Sequence, residues 1–341
     1  MAATPQITST PGEARQETGR GRSAYTPTDV PQRGWKDVLV RTKVETKADN
    51  IPLLSAGVAF YALLALVPGL VATVSIFGLA ADPASIGRHV NDLLGAAPTE
   101  VQTLVQNQLL SITAGSHAKL GLGAVFGVFV ALWSASTGMK HTLTALNAAY
   151  DEEETRTFVR LRVVSLLLTV GAVMFVIASV AVVAALPMLL DHTAVGTSGR
   201  FAITVIRWPA LGLAVIAGLA VLYRYGPDRN QPKWRWVSPG ALFATSTWLV
   251  ASVLFSVYTA NFGKYNETYG SLGAVVVVML WLFLTVAAVL VGAELNAELE
   301  RQTLQDSTRG PDQPIGQRHA NAADTVGATA EQLRQRTRAR K

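Results

Sequence analysis

Six stretches without a charged residue divide this chain: 50–81, 120–139, 163–190, 208–223, 236–263 and 268–293. Most exceed the roughly 20 residues that an α-helix needs to cross about 30 Å of hydrocarbon. The fourth is shorter, but the apolar run 201–206 extends it beyond Arg207. Helices of a water-soluble fold keep a polar face, and these stretches have none. The pattern predicts an all-α fold: a polytopic membrane helix bundle with six transmembrane helices, at about residues 51–80, 120–139, 163–190, 202–223, 237–262 and 269–294.

Lys and Arg sort by loop. Eight precede the first span: Arg15, Arg20, Arg22, Arg33, Lys36, Arg41, Lys43 and Lys47. Lys140, Arg156, Arg160 and Arg162 follow the second, and Arg224, Arg229, Lys233 and Arg235 follow the fourth. Arg301, Arg309, Arg318 and a terminal RQRTRARK cluster follow the sixth. The opposite loops hold only Arg88, Lys119, Arg200 and Lys264. Positive loops stay on the cytoplasmic side, so both termini are expected to be cytoplasmic, in agreement with an even number of spans.

Composition narrows the chemistry. The net charge of +6 and the pI near 9.6 reside in the loops and tails that orientation already explains. There is no cysteine, which excludes disulfides, thiolate metal sites and cysteine nucleophiles. The first apolar run begins only at residue 50 and is too long for a signal-peptide core, so it is expected to be a retained anchor.

Residues 1–34, rich in Thr, Pro, Gly and Arg, read as a disordered cytoplasmic arm, and residues 302–341 as a disordered basic cytoplasmic tail. The segment 35–301 is the membrane domain. Within it, Trp35, Val38 and Leu39 share one face of a short basic helix suited to the inner membrane surface. Asp49 or Asn50 is expected to cap the first span, with Pro52 in its first turn. Pro68 stands at mid-depth, as a packing kink or a hinge. The outer loop 82–117 carries two amphipathic stretches, as a brace or a lid over the bundle. In the second span, Gly123 and Gly127 have the spacing of close helix packing.

Few residues carry candidate chemistry. Five histidines are scattered without metal-ligand spacing, and no metal site or cofactor is expected. The acidic run 151–154 reads as a solvated helix start. Inside the spans the polar residues are sparse. Glu294, in the string GAELNAE with Asn296, sits near the inner interface, where a carboxylate needs a partner or water. Arg156, Arg160, Arg162, Arg224 and Arg235 are candidate ion-pair partners; the alternative is a proton or substrate site. Glu298, one turn on, is expected to be deeper in the cytoplasm and better solvated. Arg207 either snorkels outward or grips a lipid phosphate. Trp133, Ser134 and Ser136 cluster where the second span nears the cytoplasm. The outer turn 261–274 is unusually polar: Asn261, Asn266 and Glu267 add hydrogen-bonding groups among Tyr265 and Tyr269.

Several motifs together resemble the YihY/BrkB family of bacterial inner-membrane proteins, once labelled ribonuclease BN. They are AFYALLALVP with Tyr61 and Pro68, LWSASTG at 132–138, ALNAAYD at 145–151, and LYRYGPDRNQPKWRWVSPGALFA with Pro239 and Gly240. The YNETYGSLGA turn, Trp248, Trp281 and GAELNAE complete the set. Ala65 stands where the family usually has serine. The resemblance runs over about residues 35–301 and implies six transmembrane helices in a multi-pass protein of the bacterial cytoplasmic (inner) membrane. It also implies an association with envelope integrity, without an assigned activity.

The expectation is a non-enzymatic, transporter-like protein handling lipid or an envelope precursor; the alternative is a membrane scaffold for envelope machinery. The expected partners are membrane lipids, with anionic headgroups at the cytoplasmic loops and tails. A homo-oligomer is compatible with the pattern, and no specific nucleic acid is expected.

Overall fold

The computed structural model describes residues 8–78, 102–103, 122–191, 197–261 and 271–339. A short helix α1 (Pro11–Gln16) and the basic helix α2 (Gln32–Ala48) precede the bundle. Six long helices follow among the described residues: α3 (Ile51–Gly78), α4 (Leu122–Ala149), α5 (Phe158–Asp191), α6 (Thr197–Tyr225), α7 (Trp234–Asn261) and α8 (Ser271–Glu300). Two small helices, α9 (Asn321–Asp324) and α10 (Ala330–Ala339), close the chain. Among the described residues, three stretches are long and apolar enough to cross a membrane: Phe158–Ser179, Trp234–Thr259 and Val275–Glu300. The bent pair Gln32–Ala48 and Ile51–Leu66 makes a fourth if it counts as one span.

The long helices are apolar all round, so their shafts expose large side chains such as Phe60, Leu64, Leu167, Leu213, Val253 and Leu254. Among the described residues, burial concentrates at one end. Ile51 and Val58 from the start of α3, Leu143 and Leu146 from the end of α4, and Leu161 from the start of α5 meet there. Tyr223 from the end of α6, Val237 and Ala241 from the start of α7, and Leu290 and Ala293 from the end of α8 join the same cluster. Starts and ends alternate, so the helices run up and down.

α7 and α8 approach most closely through glycine. A methyl at Gly240 would lie 2.1 Å from the carbonyl oxygen of Gly292, and one at Gly292 would lie 2.6 Å from the Tyr223 hydroxyl. That hydroxyl donates to the Val289 carbonyl at 2.7 Å. Higher up, Trp248 donates to Thr285 at 3.2 Å and Trp281 to Ser252 at 3.4 Å, so each helix supplies one indole and one hydroxyl. In α4 the tight position is Gly138, where a methyl would come within 3.0 Å of the Ala65 methyl. Gly127, one of the expected glycine pair, faces open space.

The terminal segments overturn the expectation of disorder. Strand β1 (Thr8–Ser9) pairs antiparallel with β2 (Val326–Gly327), and both terminal segments fold onto the same end of the bundle. The ordering groups are buried arginines. Arg22 donates to the carbonyls of Arg301, Gln302 and Gly327 and pairs with Glu17 at 2.6 Å. Arg318, 4 % exposed, donates to the carbonyls of Gln313, Gln305, Ala323 and Leu304. One guanidinium satisfies several carbonyls of irregular backbone, which orders a chain that has no apolar periodicity to announce it. We call this the capped end.

Gly240→Ala drives a methyl into the Gly292 carbonyl and the Asn296 side chain and is expected to cost about 1–3 kcal/mol, the usual range for overpacking. Size-exclusion after graded heating of the detergent-purified protein checks this; the exposed Gly218→Ala, whose methyl meets nothing, serves as the neutral control.

Candidate functional site

The last two turns of α8, Gly292 to Glu300, are buried on every side. A helix end carrying Glu294, Glu298 and Glu300 reaches that state only if other elements answer its charge. Glu298, 1 % exposed, lies between two guanidiniums. Arg41, from α2, pairs with it through Nε. The same arginine donates to the Ala328 carbonyl at 2.9 Å and to Gln302 at 2.8 Å. Arg301 reaches Glu298 at 2.5 Å and also pairs with Asp151, in the loop after α4. Glu300 receives a bidentate pair from Arg229 at 3.1 and 2.7 Å, and the Ser307 hydroxyl at 2.5 Å.

Two amides finish this end. Asn296 accepts the Gly240 N–H at 2.7 Å and donates to the Val237 carbonyl at 3.1 Å. Pro239 lacks an N–H and interrupts the first turns of α7, and the amide binds backbone on either side of it. Asn147 accepts from the Asp228 N–H and donates to Glu154, tying the end of α4 to the loop after α6.

Glu294 is different. It is fully buried, and neither carboxylate oxygen has a hydrogen-bond partner. The side chain facing it is another acid, Asp49, whose Oδ2 is also buried without a partner. Of the cations expected to pair with Glu294, Arg160 and Arg235 are exposed and the other three are engaged elsewhere. Arg156 holds Glu154 and Asp228, Arg162 contacts Trp133 and Thr137, and Arg224 donates to the Pro232 carbonyl and lies 4.5 Å over Trp234. The structural ion pair is therefore not formed. Asp49 ends α2, and Asn50, at φ 53°, turns the chain into α3 through a bend of 63°. Its carbonyl takes the first N–H groups of α3, from Leu53 and Leu54, so the cap at this position is made by backbone.

The other candidates do not converge. Asn296 is a backbone clamp rather than a binding group. Ser136 is buried and donates to the Trp133 carbonyl, whereas Trp133 and Ser134 face outward. Tyr61 stacks on His141 with ring centroids 3.5 Å apart. α3 continues through Pro68 as helix to Gly78. Arg207 lies in α6 and Asn261 ends α7. Tyr265, Asn266 and Tyr269, like the loop 82–117, lie outside the described residues.

Two further expectations are corrected. Glu298 is among the most buried carboxylates, not a solvated one. The acidic run is no helix start: α4 ends at Ala149, α5 begins at Phe158, and Asp151, Glu152 and Glu154 each hold a tertiary contact. Sequence reasoning missed Arg41, Arg229 and Arg301. A signal was available in Glu294, Glu298 and Arg301, spaced by four and three residues. That spacing places them on one helix face of a segment with no solvated side.

Arg41→Ala leaves Glu298 without half of its compensation and frees the Ala328 carbonyl. A cost of about 3–5 kcal/mol is expected for breaking a buried pair, seen as accelerated protease cleavage beyond residue 301. The pH dependence has a definite sign. Burial pushes the Glu152 carboxyl up to about 7, although Arg229 lies 3.9 Å away and the Asn321 N–H donates to it. The folded chain thus holds a proton that the unfolded chain, with a glutamate near 4.3, releases. Its stabilisation is complete below about pH 4 and is lost as the pH rises through about 7. Glu152→Gln is expected to flatten the fall in melting temperature between about pH 5 and pH 8 by a few degrees.

The comparisons with known proteins agree with this architecture. The chain is 34 % identical over 261 residues to the ribonuclease-like protein YfkH of Bacillus subtilis, covering 73 % of this chain and 90 % of that one. It is 29 % identical over 274 residues to a UPF0761 membrane protein of Photobacterium profundum, covering 78 % of this chain and 82 % of the relative. A second UPF0761 membrane protein, of Pseudoalteromonas translucida, is 23 % identical over 279 residues, or 81 % of this chain and 89 % of its own. No solved structure matches the chain. The family model for virulence factor BrkB matches residues 43–316, a stretch that takes in all six long helices and the buried acid end of α8. With apolar helices throughout and membrane proteins as its relatives, this chain is a multi-pass membrane protein and belongs to the virulence factor BrkB family.

Proposed function

We propose that this protein is a transporter-like component of the bacterial cytoplasmic membrane, with six spans and both termini in the cytoplasm. Its cargo is a phospholipid or a lipid-linked envelope precursor, and its role is in envelope integrity. The orientation rests on the Lys and Arg distribution together with the capped end, where both terminal segments and the arginine-rich loops gather. The outer face of α2 supports it. Trp35, Leu39 and Val40 line a groove of ≈ 460 Å³ between Lys36 and Lys43, an amphipathic face suited to an anionic membrane surface.

The observation that carries the lipid reading is the Arg162–Trp133 contact. The guanidinium lies 4.2 Å over the exposed Trp133 ring, held by the Trp133 carbonyl at 3.3 Å and Thr137 at 3.4 Å. Among the described residues no carboxylate pairs with it, and its neighbours Phe129, Val130, Phe158 and Val159 are exposed apolar side chains. A cation above an aromatic ring at the edge of an apolar shaft suits a headgroup phosphate whose acyl chains lie along that shaft.

The test is transfer of fluorescent phospholipid between leaflets in proteoliposomes. Transfer well above that of empty vesicles is expected, with about a tenfold loss in Arg162→Ala, the effect of one charge-assisted hydrogen bond. Background rates from folded, reconstituted protein sink the proposal. One observation favours a scaffold instead: the folded terminal segments form a platform on the capped end. That reading requires partners to co-purify with the intact cap and to be lost when residues 302–341 are deleted. The ribonuclease wording belongs to the Bacillus relative, and among the described residues no cluster of three or more metal-ligating side chains supports carrying it over.

A further inference from the structure

The acids at the elbow between α2 and α3 outnumber the cations. Five carboxyl groups, from Glu45, Asp49, Asp151, Glu294 and Glu298, surround the guanidiniums of Arg41 and Arg301. Arg41 is spent on Glu298, and Arg301 on Glu298 and Asp151. No cation among the described residues reaches Asp49 or Glu294. Their facing oxygens are the buried, unpartnered ones, and two further oxygens without partners, Ser55 Oγ and Tyr150 Oη, belong to the same end of the bundle. Two ionised carboxylates cannot face each other out of water without a counter-charge. No group of three or more metal-ligating side chains is present among the described residues, so the missing charge is not answered by a multidentate ion site.

We propose that Asp49 and Glu294 form a proton-binding site, in which one proton held between the two carboxyl groups locks α2 and α3 against the end of α8. The proton sits on one carboxyl and is donated to an oxygen of the other, which converts two orphaned acceptors into one hydrogen bond with a single negative charge. Release needs no co-reactant. Asp49 is only partly buried, whereas Glu294 is sealed, so the proton passes through Asp49 to water. The pair then carries two negative charges, and the repulsion acts across the elbow.

The surroundings favour the bound proton. Glu45 from α2, Asp151 from the loop after α4, and Glu298 from α8 add negative potential; Arg301 opposes them, and the Tyr150 phenol adjoins Glu294. Burial pushes the Asp49 carboxyl up to about 6. The site stands apart from the lipid contact at Arg162, on other helices, and its occupancy does not depend on what the protein transports.

Infrared titration of the full-length protein in nanodiscs, with carboxyl-labelled glutamate and aspartate, reads the site directly. At neutral pH the wild type is expected to show, besides the Glu152 band that Glu152→Gln removes, a protonated carboxyl that Glu294→Gln removes and Glu298→Gln keeps. Asp49→Asn, which retains a hydrogen-bonding partner but removes the repulsion, is expected to lower the titration midpoint of that band by about one pH unit or more. That variant remains informative if Glu294→Gln does not fold. A wild type without this second band at neutral pH overturns the proposal, as does a second band that survives Glu294→Gln or does not move in Asp49→Asn. Lipid transfer with no such band would leave the transport reading standing and dismiss the proton site.

Discussion

Glu298 sits between two guanidiniums in a place that water does not reach, and the capped end is arranged around it. A lone buried carboxylate would cost several kcal/mol, so the helix bearing it cannot end there without help. Arg41 brings in α2, and Arg301 brings in the loop after α4. Through the spare donors of Arg41 the arrangement extends to Gln302 and Ala328. A contact that began as charge compensation thereby fixes four segments distant in sequence. Arg229 with Glu300 repeats the device two residues on and fastens the loop after α6.

Two kinds of packing meet at this boundary. Along the shaft, α7 and α8 are joined by glycine approach and by indole–hydroxyl pairs, the sort of contact that works where hydrophobic burial gives no preference for protein over lipid. At the capped end the adhesion is ionic and desolvated. Asn296 belongs to both regimes: it binds backbone on either side of Pro239 and stands between Glu294 and Glu298 on the same helix.

The apolar runs in the sequence foretell the six long helices, because an uncharged stretch of that length has few other uses, but α4 continues to Ala149 and α8 to Glu300, past the expected ends at 139 and 294. The family motifs also mark residues that prove structural, Gly240 and Asn296 among them. The acid site was only half legible. Glu294 stands out as an intramembrane acid, but its neighbour Asp49 looks like an ordinary helix cap. The ionic partners were hidden by distance: Arg41 and Glu298 are 257 residues apart, and Asp151 and Arg301 are 150 apart. The terminal segments were misread for a different reason. Their order comes from arginine donating to irregular backbone, and composition carries no trace of it.

The pairing of β1 with β2 has a consequence for how the protein is made. Ser9 meets Val326, and Arg22 waits for the carbonyls of residues 301, 302 and 327. The strand at Thr8–Ser9 therefore has no strand partner until residues 326–327 have been made, and domains that build as they emerge cannot use that pairing as a starting point. The pairing of β1 with β2 can close only after every helix between them has been made.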